Sequence, residues 1–139
     1  MANSYTLDVV TPERIMLSED VTQTIAPGSD GELGILANHA PLMTSLKPGE
    51  VKVTLADGRT TAHIVISGGF MEVAGGENGR TTILADSAER ADEIDVTRAE
   101  ADLDVARRML AEAEAGSPQQ HEAQLAIAHA ETRVRAGRG

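Results

Sequence analysis

The hydrophobic pattern of this 139-residue chain changes its period near residue 88. Before that point, short runs alternate apolar and polar residues, as Val51 and Val53 do, which is the period of two that β-strands show. After it, apolar residues recur every three or four positions, which is the period of an α-helix. The change predicts two parts of different architecture, residues 1–88 and residues 89–139.

Residues 1–88 have the composition of a β-sandwich. They hold ten of the 13 glycines and four of the five prolines, and their apolar runs are rich in β-branched side chains that pack well on pleated sheets. Turn signals separate the runs at intervals of about 8–12 residues. The clearest are Asp57-Gly58 and Asn78-Gly79, because these residue types tolerate positive φ. We therefore predict an all-β sandwich for this part.

Residues 89–139 predict an antiparallel α-helical hairpin. Small apolar residues recur at alternating spacings of four and three over 99–113, and the same pattern returns over 123–134. Between them, Gly116 is predicted to end the first helix and Ser117 to cap the second. Leu125 and Ala126 are predicted to widen the second seam. Alanine seams bury little apolar area, so we expect the hairpin to be held weakly.

Composition narrows the function classes. The 22 acidic and 12 basic residues give a formal net charge of −10, which argues against nucleic acid as a partner because phosphate backbones bind basic surfaces. Cysteine is absent, and the histidines, glycines and serines form no metal-ligand, phosphate-loop or hydrolase motif. No export signal or membrane-length apolar run is recognisable. The residues therefore predict a soluble, non-catalytic binding or regulatory module that meets a membrane only through a partner and holds no metal.

Residues 28–49 carry three short motifs in a specific order: GELGIL, HAPL and LKPG. This segment closely resembles the epsilon subunit of bacterial F-type ATP synthases. Residues 7–13 resemble that family's opening strand, and residues 67–73 resemble its S-G-G-x-x-E-V segment. The resemblance covers essentially the whole chain, and the family's sandwich and helical hairpin agree with the two periods. The organelle homologue is an alternative, which the absence of an Arg- and Ser-rich transit segment disfavours.

The resemblance implies a non-catalytic subunit of the central rotor of a proton-translocating ATP synthase. The sandwich is expected to contact the gamma subunit and the ring of c subunits, and so to couple ring rotation to ATP synthesis. The helices are expected to restrain ATP hydrolysis by the alpha and beta subunits of the catalytic head. The expected location is peripheral, on the cytoplasmic face of the bacterial plasma membrane, with no cofactor required.

Two interface residues follow from the resemblance. Glu32 matches the acidic position of GELG, which faces the polar loops of the c ring in the family. His39 matches the histidine of HAPL, near the gamma contact. From the residues alone, Glu32 is equally a solvated turn acid, and His39 equally a donor to nearby backbone.

The start of the first helix also matches a family motif. Ile94, Asp95, Arg98 and Ala99 occupy the fixed positions of I/L-D-x-x-R-A, through which some bacterial members bind ATP. An arginine in a first helical turn can meet phosphate, and Asp95 can accept from a nucleoside or cap the helix. The alternative is an ordinary helix start, in which Asp95 is the N-cap and Arg98 pairs with a surface acid.

Nucleotide-binding members use further basic residues on both helices. Here the corresponding first-helix position is Val105, and the second-helix positions are His129 and Arg133. One basic partner is therefore missing and one is weakened, which predicts only weak regulatory ATP binding.

Two other function classes fit the same residues. One is a stand-alone nucleotide-sensing protein, and the other is a scaffold. Only the rotor subunit predicts stoichiometric recovery with gamma and the catalytic subunits.

Overall fold

A computed structural model describes residues 3–75 and 79–139 of the chain. It divides the chain into two compact units, one ending at Arg90 and one beginning at Ala91. The strands of the first unit are β1 (Tyr5–Val10), β2 (Ile15–Gly28), β3 (Gly31–Leu36), β4 (Leu42–Leu46), β5 (Gly49–Leu55), β6 (Thr61–Ile66), β7 (Gly69–Val73), β8 (Arg80–Ala85) and β9 (Ala88–Arg90). The second unit contains a short 3-10 turn, Ala91–Glu93, and the helices α1 (Val96–Glu112) and α2 (Pro118–Gly137). The predicted fold class, a sandwich followed by helices, is confirmed.

The first unit ends later than the predicted boundary at residue 88. Ala88–Arg90 form the short strand β9, which pairs antiparallel with Ile64–Ile66 of β6. Three residues are too few to show an alternating pattern. The change of period therefore marks the last long strand, β8, and misses the short one after it.

The long strand β2 belongs to both sheets of the sandwich. Its first part pairs antiparallel with β1, and its second part pairs with β3 on one side and β5 on the other. The register against β5 shifts between Val21 and Gln23, and such irregularities bend a strand. These pairings divide the strands into two sheets, β2-β1-β8-β7-β4 and β3-β2-β5-β6-β9, which are joined through β2. β2 also pairs with β4 at a single position, Gly28 with Leu46.

The core between the sheets is aliphatic, as the strand pattern predicts. The long strands contribute alternate residues to this core, for example Leu7 and Val9 of β1 and Ile64 and Ile66 of β6, all fully buried. Burying an aliphatic side chain of this size stabilises the fold by about 1.5–3 kcal/mol. This repeated burial fixes which face of each strand points outward.

Tyr5 is the one aromatic residue in the core. Its hydroxyl lies 2.7 Å from the Thr24 hydroxyl and 2.9 Å from the Ile35 carbonyl oxygen. Burial raises the pKa of Tyr5 above its ordinary value, and the hydrogen bond with Thr24 opposes that rise in part.

One of the two predicted hairpin turns is confirmed. Gly58 has a φ of 72° and its N–H donates to the Leu55 carbonyl, while Asp57 accepts from the backbone of Arg59 and Thr60. The other predicted turn includes Asn78, which lies outside the described residues.

The helix ends agree with the sequence prediction only in part. Ser117 caps α2 as predicted, because its side chain accepts from the Gln120 N–H at 3.1 Å. The role predicted for Gly116 is wrong, since α1 already ends at Glu112. Gly116, with a φ of 78°, lies directly before the cap of α2, and its N–H donates to the Gln120 side chain at 2.7 Å.

The two helices meet along alanines. Ala99 and Ala106 of α1 and Ala123 and Ala130 of α2 are buried, which confirms the predicted seams. Of the two residues expected to widen the second seam, Ala126 is half-buried and Leu125 is 42% exposed. Because alanine methyl groups bury little apolar area, charged pairs and close backbone contacts also contribute to the stability of the hairpin.

The far end of α2 packs tightly against the start of α1. A Cβ placed on Gly137 would lie 2.7 Å from Cγ2 of Val96 and 3.0 Å from Cγ2 of Ile94. Beside this contact, Arg138 donates to Glu100 at 2.9 Å. Glycine at this position therefore lets the helices approach where a larger residue would separate them.

Candidate functional sites

An apolar row crosses the outer face of the first sheet. Phe70 of β7 pairs with Leu84 of β8, Leu84 pairs with Val10 of β1, and Val10 pairs with Ile15 of β2. Cross-strand partners lie on the same face of a sheet. We call these four residues the apolar row.

The apolar row is open to solvent. Phe70 is 54% exposed, Leu84 56% and Ile15 67%. Met43 of β4 adds to this surface, and a groove of about 410 Å³ beside the row is flanked by the carboxylates of Glu72 and Asp86. Contiguous apolar side chains exposed to this degree mark interaction surfaces.

The backbone places the row by a close approach of β7 to β8. A Cβ on Gly69, whose φ is 149°, would lie 2.1 Å from the Leu84 carbonyl oxygen. Only glycine fits there, and it sets Phe70 directly opposite Leu84. Sequence reasoning missed this surface, although a signal was present: Phe70-Met71 and Ile83-Leu84 are consecutive apolar pairs in strands that should alternate.

The same face becomes polar toward the other end of β1. Asp8 accepts from Ser18 at 2.7 Å and from Arg80. The Ser18 hydrogen bond, assisted by Arg80, holds the pKa of Asp8 below its ordinary value. The first sheet therefore presents an apolar end and a charged end to its surroundings.

Neither of the two predicted interface residues belongs to the apolar row. Glu32 is an exposed residue of β3, at the edge of the second sheet, and Leu36, four residues further along β3, is exposed on the same face. His39 follows β3 directly after Asn38, which has a φ of 63°. Its Nδ1 donates to the Ala40 carbonyl oxygen at 2.7 Å, so the local hydrogen bond considered for His39 is present.

The predicted nucleotide motif spans the beginning of α1. Asp95 is the N-cap, and its carboxylate accepts from the Arg98 N–H at 3.1 Å. Ile94 is half-buried near Gly137, and Ala99 is fully buried in the seam. Within the motif, Asp95 and Arg98 are both exposed, and Arg98 carries the positive charge.

Arg98 and Arg133 meet at one carboxylate. Oδ1 of Asp102 lies 3.8 Å from Nε of Arg98, one turn earlier on α1, and Oδ2 lies 3.0 Å from a terminal nitrogen of Arg133 on α2. The structure therefore brings the two predicted arginines to the same place, with an acid between them. Sequence reasoning did not single out Asp102, although its spacing from Arg98 is that of a helical ion pair.

The other two positions of the predicted site carry no fixed positive charge. Val105 is largely exposed, and His129 is half-buried on α2. Within residues 3–75 and 79–139, no group of three or more acidic or histidine side chains is arranged to hold a metal ion. In the same described parts, neither helix is long and apolar enough to cross a membrane.

Comparison with protein families accounts for both units. The model of the ATP synthase delta/epsilon chain β-sandwich domain matches residues 4–91, and that of the delta/epsilon chain long α-helix domain matches residues 92–137. The chain belongs to the ATP synthase delta/epsilon chain family. The family resemblance predicted from residues 28–49 is thereby confirmed over nearly the whole length.

Relatives in the delta/epsilon family support the same assignment. The ATP synthase epsilon chain of Desulforamulus reducens is 45% identical over 136 residues, covering 98% of each chain. That of Pelotomaculum thermopropionicum is 53% identical over 95 residues, covering 68% of this chain and 67% of its own.

Solved structures agree with the family. A chain in the cryo-EM structure of the Euglena gracilis mitochondrial ATP synthase (OSCP/F1/c-ring, rotational state 1) superposes with a TM-score of 0.81 at 25% identity, covering 96% of this chain and 81% of its own. A chain of the Tetrahymena thermophila mitochondrial ATP synthase central stalk and c ring gives a TM-score of 0.61 at 14% identity, covering 96% of each. The second similarity shows a shared fold alone.

Proposed function

We propose that this chain is a non-catalytic central-stalk subunit of an F-type ATP synthase that couples c-ring rotation to ATP synthesis. The observation that carries the proposal is the match of both family domains, in order, over residues 4–137. The subunit sits peripherally on the cytoplasmic face of the bacterial plasma membrane and reaches the membrane through the complex. The purified chain is expected to hydrolyse no ATP.

The apolar row is the proposed docking surface for the gamma subunit. Three of its four side chains, those of Ile15, Phe70 and Leu84, are more than half exposed in the isolated chain, and burying them against a partner releases about 25 cal/mol per Å² of apolar surface. Glu72 and Asp86 at the rim of the groove favour a partner with an apolar ridge bordered by lysine or arginine.

A matched pair of variants tests this surface. Leu84 in the row and Leu36 on β3 are the same residue type, and they are 56% and 57% exposed. Leu84→Ala is expected to weaken binding to purified gamma subunit by about tenfold or more, the effect of truncating an interface anchor. Leu36→Ala should leave gamma binding unchanged. Equal affinities for the two variants would place the gamma contact elsewhere.

The outward face of β3 is the proposed contact with the c ring. Glu32 lies on this edge, and an acid there can pair with basic groups of polar loops. In the assembled complex, Glu32→Gln should reduce proton-coupled ATP synthesis while gamma binding by the isolated subunit stays intact. Normal coupling in that variant would leave Glu32 a solvated surface acid.

The helical hairpin is the proposed restraint on ATP hydrolysis. Its alanine seam and surface ion pairs give a modest packing energy, so a second binding surface can compete for the helices. Truncation after Arg90 keeps β9 and the whole sandwich, and it should raise ATP hydrolysis by the complex while gamma is still bound. Unchanged hydrolysis would remove the regulatory role. Co-purification with gamma and the catalytic subunits separates this function from a stand-alone sensor.

Weak regulatory ATP binding at the hairpin completes the proposal. Arg98 and Arg133 supply two guanidinium groups from different helices at one place, and Val105 adds no charge. The expected affinity is in the millimolar to high micromolar range, about −4 to −6 kcal/mol. Arg98→Ala should weaken it about tenfold by removing a charge-assisted contact. Calorimetric titration with ATP measures the affinity of the full-length wild type and that of Arg98→Ala.

A further inference from the structure

One carboxylate occupies the space between the two arginines. Each oxygen of Asp102 faces a different guanidinium, at 3.8 Å from Arg98 and 3.0 Å from Arg133. Two further acids of the hairpin contact other arginines, Glu100 with Arg138 and Glu131 with Arg107. Asp102 is thus the acid that the arginine pair shares.

A guanidinium group binds carboxylate and phosphate in the same way. Both offer two oxygens that match the planar fork of N–H donors, and both are bound by charge-assisted hydrogen bonds. An acid held between two arginines therefore stands where a phosphate oxyanion would stand. We propose that Asp102 is an internal competitor for phosphate, and that it sets how weakly this hairpin takes a polyphosphate ligand. The inference rests on the nucleotide role proposed above and names its regulation.

Exposure explains why the competition matters at Arg133 in particular. The Arg133 side chain is only 14% exposed, whereas that of Arg98 is 73% exposed. A phosphate can approach Arg98 from solvent, but to reach the Asp102-facing side of Arg133 it must take the place of Asp102. The carboxylate also repels a polyphosphate at short range, an effect that solvent and salt reduce without removing.

Asp95 does not share this role. Its carboxylate accepts from the backbone N–H of Arg98 as the helix cap, which leaves the guanidinium group to Asp102. Replacing Asp102 by a neutral residue should therefore change anion binding, while the start of α1 remains capped.

The test compares Asp102→Asn with Glu100→Gln in the full chain. Both variants remove one negative charge from α1 and one ion pair between the helices. The two acids are also similarly placed, at 48% and 51% side-chain exposure. Only the first withdraws the acid from Arg98 and Arg133. Each protein is titrated with inorganic tripolyphosphate and with ATP by calorimetry, with the arginine Nε–H signals followed by NMR and helix content by circular dichroism. Asp102→Ser serves as a second neutral variant if the asparagine loosens the hairpin.

We expect Asp102→Asn to bind tripolyphosphate about two- to fivefold more tightly than the wild type, the size of a surface charge effect. Glu100→Gln should remain close to wild type, and adding Arg133→Ala to Asp102→Asn should abolish the gain. An equal gain in Glu100→Gln would overturn the proposal, because the effect would then be one of net charge. So would a failure of both neutral variants to gain affinity.

The same titrations separate this inference from the function on which it rests. If the wild type binds ATP and neither neutral variant binds more tightly, the competition is refuted while the nucleotide role stands. If the wild type shows no binding at about 10 mM ATP, well above a millimolar Kd, and Asp102→Asn does bind, the competition is supported and wild-type ATP sensing fails. If neither protein binds either ligand, the arginine pair is no anion site and the inference falls.

Discussion

Replacing Tyr5 by phenylalanine tests the polar contact buried inside the sandwich. The variant keeps the ring and removes a hydroxyl that lies 2.7 Å from Thr24 and 2.9 Å from the Ile35 carbonyl oxygen. Thr24 is fully buried, so its hydroxyl gains no water in exchange. Leaving such groups without their partner costs about 1–3 kcal/mol, which for a unit of this size lowers the Tm by roughly 5–20 °C. Urea unfolding and calorimetry measure the loss.

The pH dependence of stability provides a second, independent test of this contact. Tyr5 has a raised pKa in the folded chain, so above about pH 10 the unfolded chain loses the phenol proton while the folded chain keeps it. The free energy of unfolding must therefore fall as the pH rises from about 10 through the folded pKa. Because the chain has one tyrosine and no tryptophan, tyrosinate absorbance reports Tyr5 alone.

One combined result would refute both the stability prediction and the pH prediction. The unfolded chain in urea should titrate near pH 10 and the folded chain above it, and Tyr5→Phe should lose the extra alkaline slope of stability. A tyrosinate midpoint near 10 in the folded chain, together with a phenylalanine variant as stable as the wild type, would show that the hydroxyl is hydrated and the contact unimportant.

Substitutions at three further positions probe the ends of the helices and the charged end of the first sheet. Gly137→Ala would place a Cβ 2.7 Å from Val96. Although alanine has the better helix propensity, we expect the variant to lose about 1–3 kcal/mol of stability and to show faster amide exchange at the start of α1. Slower exchange would contradict the close packing. Ser117→Ala removes the oxygen that caps α2 by accepting from the Gln120 N–H, and it should lower the stability by about 1 kcal/mol. Ser117→Asp should retain the cap and most of the stability in the same unfolding assay. The pKa of Asp8 is lowered in the folded chain, so its contribution to the free energy of unfolding is present above about pH 4 and is lost as the pH falls through the folded pKa. Asp8→Asn should therefore lose less stability on acidification than the wild type. Parallel pH profiles of the two proteins would refute this.

The sequence predicted the parts of the fold that repeat. Alternation revealed the strands because each long strand has one buried face, and the four-three spacing revealed the helices for the same reason. The short strand β9 escaped because three residues show no period. Gly116 was misassigned because a glycine before an N-cap and a glycine after a helix end look alike in sequence when the turn is only a few residues long.

The candidate sites depend on pairings that sequence spacing does not contain. Asp95 and Arg98 are close along the chain, and their capping contact was open to prediction. The encounter of Asp102 with Arg133 joins residues 31 positions apart and requires the register of two packed helices. The apolar row likewise requires the strand order, since Phe70 and Val10 flank Leu84 only after β1 and β8 pair in parallel.

The sharing of β2 between the two sheets has a mechanical consequence. A sandwich whose layers touch only through side chains can shear, because one layer can slide over the other with little change in hydrogen bonding. Here a single 14-residue strand is hydrogen-bonded into both layers, so sliding would have to break a backbone ladder or stretch a covalent chain. The unit should therefore resist twisting as a stiff body. For a chain proposed to ride in a rotating stalk, this stiffness would let torque applied at the edge of β3 reach the opposite sheet with little elastic loss.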